Sequence, residues 1–362
     1  MVAGVPVFFE SDDAELVPSV EAFASVFLIP ALEQGVRLSL DTPPSATWLA
    51  NAHRLVELFR TWWGYVGPDP LAGIASRPDV GFPRPEGGQC FSGGIDSFFT
   101  LFRSPHRRDV LVFVHGFDVA LSDERRVRAC EHSLRAVAAA TGRRSVLVRT
   151  SVRRHPHLRA VSWEREHGAV LAAAGHVLSG TIGSLVIPAS WSYAWRKPWG
   201  SHWDSDPLWS SDRLGVVHDD AGLERWDKVP WIADEPLVRE HLRVCWENLE
   251  PTGNCGRCEK CIRTRVLFER WGCFDRFEPV FAKPRPLVES LDRMAPLSKA
   301  QREWIWEPHY ACWPLPAEVH DAILRLNDRS RRAESPGPFG RVTRRLARLG
   351  RKLRRLGRAR PR

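Results

Sequence analysis

Nine residues, Cys90 to Phe98, read CFSGGIDSF and constrain the chain more than any other stretch. Cys90 and Phe91 read as the apolar end of a strand, Gly93 and Gly94 permit a tight turn, and Ser97 to Phe102 reads as the first turns of a helix. Such a junction aims unpaired backbone N–H groups at whatever lies above the turn. Ser92 and Ser97 add hydroxyl donors, and Asp96 supplies the carboxylate that a magnesium ion bridging phosphates requires. The turn predicts phosphate binding. GxxxxGK[ST] is absent, which excludes the Walker type of phosphate loop.

The flanking sequence predicts an α/β fold. Val5 to Phe9 and Val36 to Leu40 read as short strands, and Val20 to Ala31 and Ala46 to Trp62 carry helical apolar spacing. Pro68, Pro70, Pro83 and Pro85 then break the pattern. Beyond the turn come a strand at Leu111–Val114, a helix at 123–140, a strand at Ser145–Val148, a helix at 163–178 and a strand at Ile182–Ile187. Strands apolar on both faces in that order predict a doubly wound, mainly parallel sheet, with ligands beyond the carboxyl ends of its strands.

The loops at those ends supply further candidates. After the second core strand, Gly116 permits close approach, and Phe117 either lies against adenine or belongs to a surface turn. Arg153 and Arg154 follow the third strand and either oppose phosphate charge or form a solvated basic loop. His115, His167 and His176 lack the spacing of a metal pair and read as structural. From Pro188 to Trp209 four tryptophans, Trp191, Trp195, Trp199 and Trp203, recur every four residues, but Pro198, Gly200 and Pro207 predict an aromatic loop rather than one helix. Within it Ser190, His202, Asp204 and Asp206 are the polar candidates. His202 would position or deprotonate a nucleophile, with Asp204 or Asp206 orienting it, against the alternative of turn formation and solvation.

Eight cysteines in a chain of 362 residues do not suggest a disulfide framework. Cys245, Cys255, Cys258 and Cys261 crowd together with Gly253 and Gly256 around them, a spacing suited to tetrahedral zinc, with an iron-sulfur cluster or an unmetallated packing cluster as the alternatives. Cys90, Cys130, Cys273 and Cys312 read as buried hydrophobes.

Residues 92–97, SGGIDS, resemble the pyrophosphate loop of the PP-loop ATP pyrophosphatases. A four-cysteine module about 150 residues later, NCGRCEKCIRTR at its centre, resembles the 7-cyano-7-deazaguanine synthase-like branch, over roughly half the chain. The resemblance implies ATP cleaved between the α and β phosphates, with Ser92, Gly93, Gly94, Asp96 and Ser97 at the nucleotide and ATP, Mg2+ and Zn2+ as cofactors. It implies activation of a carboxylate or amide oxygen as an adenylate, then nitrogen transfer. The N-terminal lobe, the Trp-rich insertion and GFD in place of an aromatic-Gly-Gln segment depart from the pattern, so the acyl or nucleobase substrate, free or protein-linked, stays open. A thiolating relative and a nucleotide-binding protein without turnover stay open too.

The net charge of +9 is carried by a tail, since Arg331 to Arg362 holds thirteen Lys or Arg and one Glu. The body is close to neutral, which removes isoelectric point as an argument for nucleic-acid binding. Val342, Leu346, Leu349, Leu353 and Leu356 would line one side of a helix, giving a segment suited to protein, nucleic-acid or anionic-membrane contact, or else a disordered solubilising tail. The expected organisation is an N-terminal α/β extension (1–85), a nucleotide-binding core with the Trp-rich insertion (86–240), a zinc module (241–280), a C-terminal extension (281–330) and the basic tail (331–362). Cytoplasmic location is expected from the lack of a signal or spanning segment, and a homodimer is compatible with this layout.

Overall fold

The computed structural model describes residues 4–81, 83–282 and 284–334. These divide into two compact units, one of the described residues up to 254 with 276–282 and one of 255–275 with the described residues from 284 to 334.

The first unit is built on a six-stranded sheet in the order β1-β4-β3-β2-β5-β6. Its strands are β1 (Phe9–Glu10), β2 (Gly87–Cys90), β3 (Val110–His115), β4 (Arg144–Thr150), β5 (Ser184–Pro188) and β6 (Gly215–Asp219). The five from β2 to β6 run parallel, and β1 pairs antiparallel with β4, Phe9 opposite Thr150. The fold is thus α/β on a mostly parallel sheet. The strand expected at 36–40 does not form: Leu38 donates to the Pro70 carbonyl at 2.8 Å, and no neighbouring strand continues the ladder. Apolar alternation needs such a neighbour before it becomes a strand. In contrast β6 was not foreseen.

Among the described residues this unit's α-helices are α1 (Val20–Gln34), α2 (Ala46–Trp63), α3 (Ile95–Arg103), α4 (Glu124–Ala140), α5 (Pro156–Ala160), α6 (Trp163–Val177), α7 (Arg225–Ile232) and α8 (Pro236–His241). Ser19, Ser45 and Asp123 cap α1, α2 and α4 by accepting first-turn amides, which fixes the starts at Val20, Ala46 and Glu124, the first two as the apolar spacing placed them. Val110, Val112 and Val114 of β3 pack with Leu28, Trp48 and Ala172, so α1, α2 and α6 share one face of the sheet. Phe113, which alternates with them, lies with Ala129 and Leu134 of α4. The central strands β2 and β3 are buried along their whole length, which leaves the loops at their ends free for chemistry.

The second unit comprises α9 (Glu259–Arg270), the short α10 (Phe274–Phe277) at its boundary, α11 (Leu287–Arg293), α12 (Lys299–Gln301) and α13 (Ala317–Glu334). Its core gathers Ile262, Val266, Leu291, Trp306, Ile323 and Leu326. Cys312 is exposed, contrary to expectation, because Tyr310 takes the buried position of that turn. Cys90, Cys130 and Cys273 are buried as expected. Of the basic tail, residues 331–334 complete α13, and 335–362 lie outside the described residues. Among the described residues no helix is long and apolar enough to cross a membrane.

Candidate functional site

The turn between β2 and α3 lies where the strand order reverses, with β3 on one side of β2 and β5 on the other. Gly93 adopts φ +76°, the left-handed conformation that glycine accepts without strain, and Gly94 is the N-cap of α3. Ser92 Oγ accepts the Gly94 amide at 3.3 Å, and Ser97 Oγ donates to the Gly94 carbonyl at 2.9 Å. Gln89, wholly buried in β2, donates to the Ser97 carbonyl at 2.7 Å. Asp219, at the end of β6, accepts from Thr100 Oγ1 at 2.6 Å and Ser104 Oγ at 2.5 Å. These bonds hold α3 and its first-turn amides in place beneath the turn. A helix N-terminus held this way favours an anion.

Asp96 lies in the first turn of α3 and meets α7. Arg225 grips it with Nε at 3.0 Å and Nη2 at 2.6 Å from Oδ2, and Lys228 Nζ is 3.8 Å from Oδ1. Lys228 is completely buried, donates to the Ala189 carbonyl just beyond β5 at 2.7 Å, and lies 5.4 Å from the Phe99 ring centroid. Burial pushes its ammonium pKa down, and Asp96 opposes that shift. One residue before α7, Glu224 accepts from Ser192 Oγ at 2.6 Å, and burial raises its pKa. The carboxyl ends of β2, β5 and β6 therefore bring together the glycine turn, two basic side chains and a carboxyl whose pKa burial raises. Glu224, Arg225 and Lys228 were not foreseen. Their signal was the pair of aspartates closing the apolar run GVVHDD, which marks a strand end and hence another loop at this edge.

The other candidates fall into separate groups. Gly116, at φ +113°, approaches Thr150, whose carbonyl would lie 2.2 Å from an added Cβ, so its close contact is with β4. Phe117 packs edge-on against Trp163, ring centroids 4.8 Å apart, and Arg153 donates to the Phe117 carbonyl while lying over the Trp163 ring. Nearby Glu166 is buried with Oε1 unpartnered, and burial raises its pKa to about 8. Residues 189–205 form an irregular loop in which Trp191 and Trp195 stack at 4.1 Å. His202 is buried between Trp62 and Trp203, its Nδ1 accepts the Asp204 amide at 3.1 Å, and burial lowers its pKa. The Asp204 side chain is 56% exposed, whereas Asp206 is wholly buried and bonds His218 Nδ1 at 2.7 Å and Ser201 Oγ at 2.6 Å. The tight acid-histidine pair of this region is Asp206 with His218. Cys90 is fully buried, which pushes its thiol well above the usual range and leaves it no thiolate role.

Cys245, Cys255, Cys258 and Cys261 are all buried, and their Sγ atoms lie within 4.8 Å of one another. Asn254 positions Cys245 by accepting its amide at 3.1 Å and that of Val244 at 2.7 Å. The Cys258 amide points at Cys255 Sγ, 3.3 Å away, and Arg265 holds the intervening turn through the Gly256 carbonyl at 3.2 Å. Cys255 and Cys261 Sγ are 3.8 Å apart. Tetrahedral zinc with 2.3 Å bonds demands a sulfur separation of about 3.8 Å, so the donor set fits that ion.

No family model matches the chain, and neither a curated protein nor a solved structure matches it.

Proposed function

We propose that the chain is an ATP pyrophosphatase of the PP-loop class that activates a carboxylate or amide oxygen as an adenylate, releasing pyrophosphate, and then transfers nitrogen to it. The observation that carries this reading is the Ser92–Ser97 turn at the reversal point of the sheet, with Arg225 and Lys228 of α7 directed at its Asp96. The finer description of the sheet as doubly wound belongs to the same reading.

The amides around Gly93 and Gly94, with the Ser92 hydroxyl, would hold the departing pyrophosphate as charge accumulates on it. Arg225 and Lys228, both on Asp96, would supply positive charge beside the same oxygens. Magnesium, held by Asp96, would add charge neutralisation to the phosphates. Glu224, as the carboxylate, would take a proton from an attacking amine, burial making it a stronger base than an exposed carboxylate. The four cysteines would hold a structural zinc, since four thiolates close the coordination sphere and leave no position for substrate.

A second reading, nucleotide binding without turnover, is favoured by one observation: Arg225 already engages both oxygens of Asp96. Incubation with ATP, magnesium and a panel of carboxylic acids separates the two. Stoichiometric AMP and pyrophosphate are expected, and ADP with orthophosphate, or no cleavage with any acid, would overturn the proposal.

A further inference from the structure

Nine residues separate Cys245 from Cys255, and their exposure inverts the usual pattern. Trp246 and Leu249 are 51% and 46% exposed, whereas the polar Asn248 between them is half-buried. Three segments meet at Asn248. Its Nδ2 donates to the Asp118 carbonyl at 2.7 Å, its Oδ1 accepts from Arg243 Nη2 at 3.1 Å, and its own carbonyl accepts from Arg126 Nη2 of α4 at 3.1 Å. A carbonyl on one side and a guanidinium on the other fix which end of the amide carries the nitrogen. The backbone here is left-handed, φ +52°, which asparagine tolerates better than most residues.

The Asp118 carbonyl belongs to the loop that leaves the carboxyl end of β3, the neighbour of β2 and its glycine turn. From within, this loop is held by the Gly116 amide on the Val119 carbonyl at 3.2 Å and by His115 Nε2 on the Ala120 carbonyl at 3.1 Å. From outside, two consecutive carbonyls are taken up by two different elements, Phe117 by Arg153 at 2.9 Å and Asp118 by Asn248. At the base of the nine residues Asn254 Oδ1 accepts the Val244 and Cys245 amides, while its Nδ2 donates to the Leu242 carbonyl at 2.8 Å. The segment begins and ends at sulfurs of the cysteine site, so an ion there would close it into a ring and cut the freedom of every residue it carries. We propose that Asn248 is a positioning residue that transmits occupancy of the four-cysteine site to the Gly116–Asp118 loop, so that the metal orders one flank of the glycine turn. This transmission rests on the metal reading of the cysteines and not on the ATP chemistry.

Hydrogen exchange on the full chain, read by mass spectrometry with zinc content measured in the same samples, tests this. Chelation of the wild type should speed exchange of the 116–123 amides, which include the bonded Gly116 and Asp123, about fivefold or more, and leave β5 unchanged. Asn248→Asp keeps an acceptor for Arg243 and removes the donor to Asp118, so it should give the same acceleration with about one zinc per chain still bound. Chelating that variant should add nothing at 116–123. Trp246→Ala, an exposed position in the same segment, should leave exchange there as in the wild type. An equal response to chelation in the wild type and Asn248→Asp would overturn the route through Asn248, as would unaltered exchange at 116–123 in zinc-bound Asn248→Asp. Loss of β5 protection on chelation would also overturn it, because the metal would then hold the whole first unit. A chain that takes up no zinc refutes the metal reading and the transmission with it, an outcome distinct from zinc that binds and leaves the loop unmoved.

Discussion

Replacing Asp96 by Asn should cost stability as well as activity, and the size of that cost follows from its contacts with Arg225 and Lys228. The carboxylate meets Arg225 at 2.6 Å and Lys228 at 3.8 Å, with side-chain exposures of 15% for Asp96, 28% for Arg225 and 1% for Lys228. Stranding a fully buried charge costs about 3–5 kcal/mol, and the partial exposure of Asp96 and Arg225 reduces this to roughly 2–3 kcal/mol. Lys228 carries the larger share, because it has no water to turn to. Its coupling with Asp96 should therefore be about 1–2 kcal/mol, read from urea unfolding of the wild type, Asp96→Asn, Lys228→Met and the double variant at pH 7. The sign with pH is fixed by the lowered Lys228 pKa. Losing Asp96 lowers it further, so the variant sheds the lysine proton earlier as pH rises, and the stability deficit shrinks toward alkaline pH. A coupling below about 0.5 kcal/mol, or a deficit that grows with pH, would refute the argument that Lys228 depends on Asp96. Activity of Asp96→Asn must then be measured well below its own unfolding transition, where loss of AMP release reports chemistry alone.

Glu166, 1% exposed and titrating near 8 instead of 4.5, binds a proton in the folded state that the unfolded chain has already released. Its stabilising contribution is complete below pH 4.5 and lost as pH rises through 8, by up to about 5 kcal/mol, so Glu166→Gln should flatten the decline of Tm between pH 5 and 9; an unchanged slope would refute it. In Gly93→Ala the new Cβ would meet its nearest neighbour, the His241 carbonyl, at 3.4 Å, so the cost comes mainly from the φ of +76°, about 1–2 kcal/mol in denaturant unfolding. Zinc should be found at about one ion per chain by elemental analysis, and Cys258→Ser or chelation should lower Tm sharply; metal-free protein with the same Tm would dismiss the structural role.

What the sequence made legible was local. The turn at 92–97 announced itself because its glycines, hydroxyls and carboxylate are consecutive, and the cysteine cluster because three of its four ligands fall within seven residues. Long helices were legible too, since α2 and α4 repeat their apolar positions over several turns. Opaque instead were the elements whose meaning depends on a distant neighbour. Val36 to Leu40 has the composition of a strand but no ladder to join, while Gly215–Asp219 is just as short and forms β6 because β5 lies beside it. Missing β6 hid the loop after it, and with it α7. Glu224, Arg225 and Lys228, spread along LERWDKV, form no local motif that singles them out.

Only the strand order changes their meaning. Arg225 grips a carboxylate 129 residues earlier because β6 follows β5, β5 flanks β2, and all three strands end on one edge. Parallel strands oblige every βα loop to emerge on that same edge, so a polar run after any such strand is directed toward one crevice whatever its distance along the chain. The same geometry places Arg243 against Gly93. A charged residue in this chain is therefore assigned by the strand it follows, and charge patterning along its own helix carries little of that information.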